Sequence, residues 1–245
     1  MPDRPSRAAS PSGDLTLTKD PSAIAGMFDA IAARYDLLNR VLSAGFDRRW
    51  RRRAVAWLDL KEGERLLDLC TGTGDVALEA AARGARVVGV DFAARMLQEG
   101  IAKLRRRGEG HVWLARGDAL RLPVKTGVVD AATVAFGIRN VVDAPAACHE
   151  LARVIKPDGR LAILEFSTPQ MPGLGQLYGF YFRVILPLIG RTISRHGHAY
   201  SYLPSSVGAF PSPDRFVETL RDAGFSDVES IRLTFGVVYL YVARR

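Results

Sequence analysis

The sequence predicts an α/β domain: a mostly parallel, seven-stranded sheet with helices on both faces and an antiparallel strand at its edge. Three observations predict it. From residue 65 onward, short apolar runs of strand length alternate with stretches of helical period, the order that produces parallel strands covered on both sides. A glycine-rich turn, Thr71 to Gly74, joins the first such run to a helix. The last two runs, 227–234 and 237–243, meet at Phe235-Gly236, which reads as an antiparallel hairpin on the sheet edge.

Residues 1–20 are rich in Pro, Ser, Arg and Asp without hydrophobic period, so they are expected to be a disordered tail outside the fold. From Pro21 to Leu58 the pattern is helical: Ile24, Met27, Phe28 and Ile31 recur at three- and four-residue spacing, followed by Tyr35, Leu38, Val41 and Leu42. Arg65 to Leu69 is the first strand and Val76 to Arg83 the helix after the glycine turn. The alternation continues with a strand over 86–90, a helix over 93–106, and strands over 111–116 and 129–135. A helix over 143–155, a turn at Lys156-Pro157-Asp158-Gly159, a strand over 160–166 and a helix over 213–223 complete the series. The expected organisation is one domain, 21–245, with N-terminal helices over 21–60 and a helical insertion over 167–210 before the last helix. No acidic residue occurs between Glu165 and Asp214, while Tyr178, Phe180, Tyr181, Phe182, Arg183 and Arg191 do. The insertion is therefore apolar and cationic, suited to face a substrate or a membrane.

At 245 residues and 48% hydrophobic, the chain can bury one substantial core. A formal charge of +8 favours anionic lipid surfaces, nucleic acid or acidic small molecules as partners. No run reaches the roughly 18 apolar residues of a spanning helix. Cys70 and Cys148 lack metal-like spacing and the four histidines are scattered, so no metal is expected and a reduced, cytoplasmic setting fits. Arg48-Arg49-Trp50-Arg51-Arg52-Arg53 puts five guanidiniums around one aromatic. The run suits an anionic lipid surface, the alternative being a solvated helix face. It is not interleaved with base-stacking aromatics, and nucleic acid is not the expected partner.

The chemistry concentrates in Leu67-Asp68-Leu69-Cys70-Thr71-Gly72-Thr73-Gly74-Asp75, with Gly89-Val90-Asp91-Phe92 closing the second strand. Gly72-x-Gly74-x-x-Ala77 with an acid some twenty residues on also matches a dinucleotide fingerprint. A pyrophosphate there would meet Asp68 and Asp75, adding negative charge to a negative ligand. S-adenosyl-L-methionine (AdoMet) instead brings a sulfonium and an ammonium that carboxylates attract, and Gly72 and Gly74 let backbone approach its methionine part. Asp91 is placed to accept both ribose hydroxyls, with Phe92 beside it; its alternative role is a helix N-cap. Asp118 suits the adenine amine and Ala119 offers its N–H, the alternative for Asp118 being an Asx turn.

These elements lie between Phe28-Asp29-x-Ile31-Ala32-x-Arg34-Tyr35-Asp36-x-Leu38-Asn39 and Ala135-Phe136-Gly137-Ile138-Arg139-Asn140-Val141, with Leu164-Glu165-Phe166-Ser167 beyond. Together they resemble the ubiquinone/menaquinone biosynthesis C-methyltransferases, from about Met27 to the C-terminus. The resemblance implies a Rossmann-like class I methyltransferase that moves a methyl from AdoMet to a ring carbon of a polyprenylated hydroquinone, demethylmenaquinol or the benzoquinol of the ubiquinone pathway. It also implies cofactor contacts at Thr73, Asp91, Asp118 and Ala119. Ala135 stands where many relatives have Ser, removing a hydroxyl, and Asp118 where many have Asn, keeping an acceptor. On this reading Arg139 stabilises the developing phenolate and Asn140 orients the ring, while Tyr35, Asp36 and Phe136 close the site on the substrate side. The alternative for Arg139 is a structural ion pair. Glu165 ranks lower, as a strand-end acid often caps a turn. Peripheral contact with the inner face of the cell membrane follows from the prenyl tail, and a homodimer is left open.

Overall fold

The computed structural model describes residues 19–169 and 198–245. Residues 1–18 of the expected tail and most of the 167–210 insertion lie outside the described residues. The chain enters through α1 (Pro21–Ile31), a 3-10 turn (Ala32–Arg34), α2 (Tyr35–Leu42) and α3 (Phe46–Trp57). Asp20, assigned from sequence to the tail, begins the fold: its side chain accepts the Ser22 N–H at 3.1 Å, capping α1 ahead of Pro21. Then follow β1 (Arg65–Leu69), α4 (Asp75–Ala81), β2 (Arg86–Asp91), α5 (Ala94–Arg107), β3 (Val112–Arg116), β4 (Val129–Ala135), α6 (Ala144–Val154) and β5 (Ile155–Phe166). After them come α7 (His198–Ala209), α8 (Pro213–Asp222), β6 (Ser226–Leu233) and β7 (Val238–Arg244).

The seven strands form one sheet in the order β3-β2-β1-β4-β5-β7-β6. The first five strands pair in parallel. The closing hairpin lies at the expected edge, with β7 antiparallel to β5 and β6 antiparallel to β7. The tetrapeptide 156–159 bulges out within β5: the register steps from Val129–Ile155 to Ala131–Arg160, with Asp158 at φ +61°.

Strand periodicity divides the core into two layers. Leu67, Leu69, Val134 and Ile163 face one way, against Leu151 of α6 and Phe216 and Leu220 of α8. Leu66, Val87, Ala131 and Leu164 face the other, against Trp50, Ala54 and Val55 of α3 and Val76 of α4. Covering both faces is why the strands read as near-continuous apolar runs. The arginine run on α3 divides accordingly. Trp50 and Arg51 are buried and Arg48, Arg49, Arg52 and Arg53 are exposed, so four guanidiniums rather than five reach solvent. Trp113 is 53% exposed on edge strand β3.

Candidate active site

The carboxyl ends of β1, β2, β3 and β4 open onto one cleft, where ligands bind in open α/β sheets. The cleft is open to solvent, with about 880 Å³ of empty space between its walls. Gly72, Asp91, Phe92, Asp118 and Ala119 line it from the strand-end loops, and Phe136 and Asn140 from the turn after β4. Ile24 and Phe28 of α1 and Tyr35 of α2 form the opposite wall. The backbone is strained where β1 and β4 end side by side: Cys70 has φ +55° and Phe136 φ +61°. Gly137 packs so closely there that an added Cβ would lie 2.2 Å from the Cys70 Cβ. Gly72, at φ +56°, takes a conformation that disfavours a side chain.

Asp91 fixes this turn. Its carboxylate accepts the Gly72 N–H at 2.7 Å and the Ala93 N–H at 2.9 Å, so the helix-capping role and a position on the cleft wall coexist. Burial pushes its carboxyl above the ordinary value, only partly opposed by those N–H donors. Asp118 is exposed on the opposite rim and accepts the Leu120 N–H at 2.9 Å, the Asx-turn geometry. Two carboxylates thus face the cleft, and among the described residues no Lys or Arg lines it.

The remaining loop residues stand behind this wall. Asp68 is buried beneath the glycine turn, where its Oδ2 accepts the Thr71 hydroxyl at 2.6 Å and its Oδ1 has no hydrogen-bond partner among the described residues. Burial pushes its carboxyl up to about 7, with the Thr71 hydrogen bond opposing and nearby Asp91 adding to the rise. Thr73 is buried; its hydroxyl donates to Asp36 Oδ1 at 2.5 Å and accepts from Lys103 Nζ at 3.0 Å. Lys103 also pairs with Asp36 at 2.5 Å and Asp75 at 2.8 Å, and Arg51 reaches Asp75 at 3.3 Å. Burial draws the Asp75 carboxyl upward, but Arg51 and Lys103 outweigh it and hold it below its ordinary value. Asp75 therefore supplies no uncompensated charge to a ligand. The carboxylates that face a ligand are Asp91 and Asp118. Gly74 caps α4 at φ +80°.

Arg139 and Asn140 lie in a 3-10 turn, Ile138–Asn140, and part ways. The Arg139 guanidinium is buried off the cleft wall, bonded to Glu165 Oε1 at 2.7 Å, the Phe136 carbonyl at 2.6 Å and Ser206 Oγ at 3.3 Å. Glu165, fully buried, also accepts the N–H groups of Arg139 at 3.3 Å and Phe166 at 2.8 Å. Asn140 lines the cleft, and its buried Oδ1 has no hydrogen-bond partner among the described residues. Burial raises the Tyr35 phenol above its usual range. No group of three or more metal-ligating side chains occurs among the described residues. Lys103, Arg51, Phe28 and Met96 were missed from sequence as parts of the site. The three- and four-residue spacing that marks Ile24 and Phe28 as one helix face was the only signal available for any of them.

The comparisons with known proteins agree with this architecture. The ubiE/COQ5 methyltransferase family model matches residues 16–245. The ubiquinone/menaquinone biosynthesis C-methyltransferase UbiE of a Geobacter species is 46% identical over 233 residues, 94% of this chain and 99% of that protein. The demethylmenaquinone methyltransferase of Thermus thermophilus is 49% identical over 221 residues, 89% of this chain and 100% of that protein. A SAM-dependent methyltransferase from Aquifex aeolicus superposes with a TM-score of 0.58 at 19% identity, covering 92% of this chain and 98% of that one, a likeness of fold. By sequence over nearly its whole length, and by a cleft formed at the expected strand ends, the chain belongs to the ubiE/COQ5 methyltransferase family.

Proposed function

We propose that the chain transfers the methyl group of AdoMet to a ring carbon of a polyprenylated hydroquinone in respiratory quinone biosynthesis. Demethylmenaquinol is the first-choice acceptor and the benzoquinol of the ubiquinone pathway the second. The observation that carries the proposal is the cleft itself: apolar, bearing two carboxylates, with no cation among the described residues that line it and one orphaned amide oxygen. An anionic diphosphate is repelled there and a cationic donor is attracted. The names of the relatives supply the acceptor class.

The chain's residues divide between two ligands. Asp91 keeps acceptor capacity for the ribose hydroxyls beyond its two backbone donors, and Gly72 lets the methionine portion approach the backbone. Asp118 accepts the adenine amine, Ala119 offers its N–H, and Phe92 flanks the ring. Asp68, Thr73 and Gly74 hold the loop from behind, and Asp36 ties α2 to it. When bound, the cofactor supplies an electrophilic methyl on sulfur. Tyr35 and Phe136 confine the acceptor ring and exclude water. Asn140 Oδ1 accepts a phenolic O–H and orients the ring so that the adjacent carbon lies in line with the methyl. Arg139 acts as a positioning residue, clamping the Phe136 carbonyl and Glu165 so that Asn140 faces the cleft.

The prenyl tail requires an apolar route, and the proposal includes peripheral contact with the inner membrane surface. Labelled methyl transfer from AdoMet to demethylmenaquinol, with product identified by mass, tests the proposal. Transfer of label to the ring supports it. Label appearing only on sterol, phenol or amine acceptors would overturn it.

A further inference from the structure

A second concavity, separate from the active-site cleft, lies where α2, α3, α4 and α5 meet. Seven cationic side chains line it, Arg40, Arg48, Arg51, Arg52, Lys103, Arg106 and Arg107, against three carboxylates, Asp36, Asp75 and Glu79. Each of those carboxylates is already engaged. Asp36 is held by Lys103, Asp75 by Lys103 and Arg51, and Glu79 by Arg52 and Arg83. Arg40, Arg48, Arg106 and Arg107 are exposed and form no ion pair among the described residues. Arg106 and Arg107 also favour the carbonyl end of α5. Arg40 likewise lies in the last turn of α2, whereas Arg48 lies at the start of α3, where no helix C-terminus accounts for it.

Beside these arginines the surface is apolar. Leu37 and Val41 are 53% and 43% exposed, and Phe46, at the start of α3, is 43% exposed. Leu37 and Val41 are four residues apart on one face of α2, and Arg40, three residues on from Leu37, flanks that face. Phe46 stacks on Trp50 at 6.1 Å, so one ring face is already covered, and two aliphatic chains offer no platform for a base. Apolar side chains set among unpaired guanidiniums match an interface between acyl chains and anionic headgroups, and fit a nucleic acid poorly.

We propose that this α2–α3 corner, with the α5 arginines, is the surface by which the protein docks on an anionic bilayer. Leu37, Val41 and Phe46 enter the headgroup layer, while Arg40, Arg48, Arg106 and Arg107 bind lipid phosphates. Tyr35, on the cleft wall, begins the same helix α2, so docking brings the active-site wall to the membrane. That purpose rests on the prenylated substrate proposed above, whereas the binding itself does not.

The test is co-sedimentation of the full chain with vesicles of phosphatidylcholine alone or mixed with phosphatidylglycerol, at low and high salt. Binding is expected only to the mixed vesicles, with a salt-resistant fraction from the apolar contacts. Each basic residue near such a surface contributes about 1 kcal/mol, so Arg40→Ala/Arg48→Ala/Arg106→Ala lowers the partition coefficient on the order of a hundredfold. Leu37→Ser/Val41→Ser removes the salt-resistant part. Arg221→Ala/Arg232→Ala, on α8 and β6, removes exposed charge elsewhere and is expected to cost far less. Turnover of a short-chain, water-soluble hydroquinone is expected to be unchanged in the surface variants, which shows that they fold. Absence of binding to anionic vesicles, equal binding by the triple variant, or tighter arginine-dependent binding of an RNA oligomer would each overturn the proposal. Vesicle binding by a chain that methylates no hydroquinone would instead overturn the functional reading and leave the surface standing.

Discussion

Replacing Glu165 by Ala removes one member of the most deeply buried ion pair in the described structure. The partners are 6% and 0% exposed at the side chain, with Arg139 Nη1 to Glu165 Oε1 at 2.7 Å. In the variant the guanidinium keeps the Phe136 carbonyl and Ser206 Oγ, but loses its counter-charge, and the N–H groups of Arg139 and Phe166 lose an acceptor. Breaking a buried pair from one side typically costs about 3–5 kcal/mol, a large part of the roughly 5–15 kcal/mol that stabilises a domain. For a chain of this size the expected fall in melting temperature is roughly 6–20 °C. Urea unfolding with thermal melts measures both. Glu165→Gln, which keeps an acceptor, is expected to lose less. Arg139→Met/Glu165→Met is expected to recover most of the stability, because burying no charge avoids the desolvation cost, yet to remain slow in methyl transfer because Asn140 is no longer held. A Glu165→Ala variant within about 1 kcal/mol of the parent would show that the pair supports neither the turn nor the site.

Three further outcomes follow from the same geometry. Gly137→Ala forces a Cβ against that of Cys70 and is expected to cost about 1–3 kcal/mol; Cys70→Gly in the same chain should recover much of it, measured as a coupling energy in a double-mutant cycle. Asp68 holds its proton in the folded state between the ordinary value of 3.8 and about 7, so its contribution falls as pH rises through that window and is flat above it. Asp68→Asn should therefore be more stable than the parent above neutrality, by no more than about 4 kcal/mol, with the gap closing toward acid pH in urea titrations. Lys103→Met leaves Asp36 and Asp75 without their shared cation and is expected to weaken AdoMet binding about tenfold by loosening Thr73, seen in calorimetry, with little change in kcat.

The fold was legible where local spacing decides structure. The strand-turn-helix unit around Gly72, the apolar strands and the closing hairpin all rest on short-range pattern, and all are present. What escaped the sequence depends on pairings between distant segments. Arg139 reads either as a cation aimed at the ring or as half of an ion pair, and local spacing does not reveal that Glu165 on the neighbouring strand claims it while Asn140 next to it takes the cleft wall. Asp75 reads as a charge facing the ligand, until Arg51 from α3 and Lys103 from α5 neutralise it. The arginine run on α3 reads as one patch, but helical phase turns Trp50 and Arg51 inward.

The proposed function depends on the sign of the charge that the cleft accepts. Isothermal calorimetry of AdoMet, set beside NAD and FAD under the same conditions, measures it most directly. Saturable AdoMet binding that Asp91→Ala weakens strongly is expected, with no heat from either dinucleotide. Tight uptake of a dinucleotide together with indifference to AdoMet would contradict it.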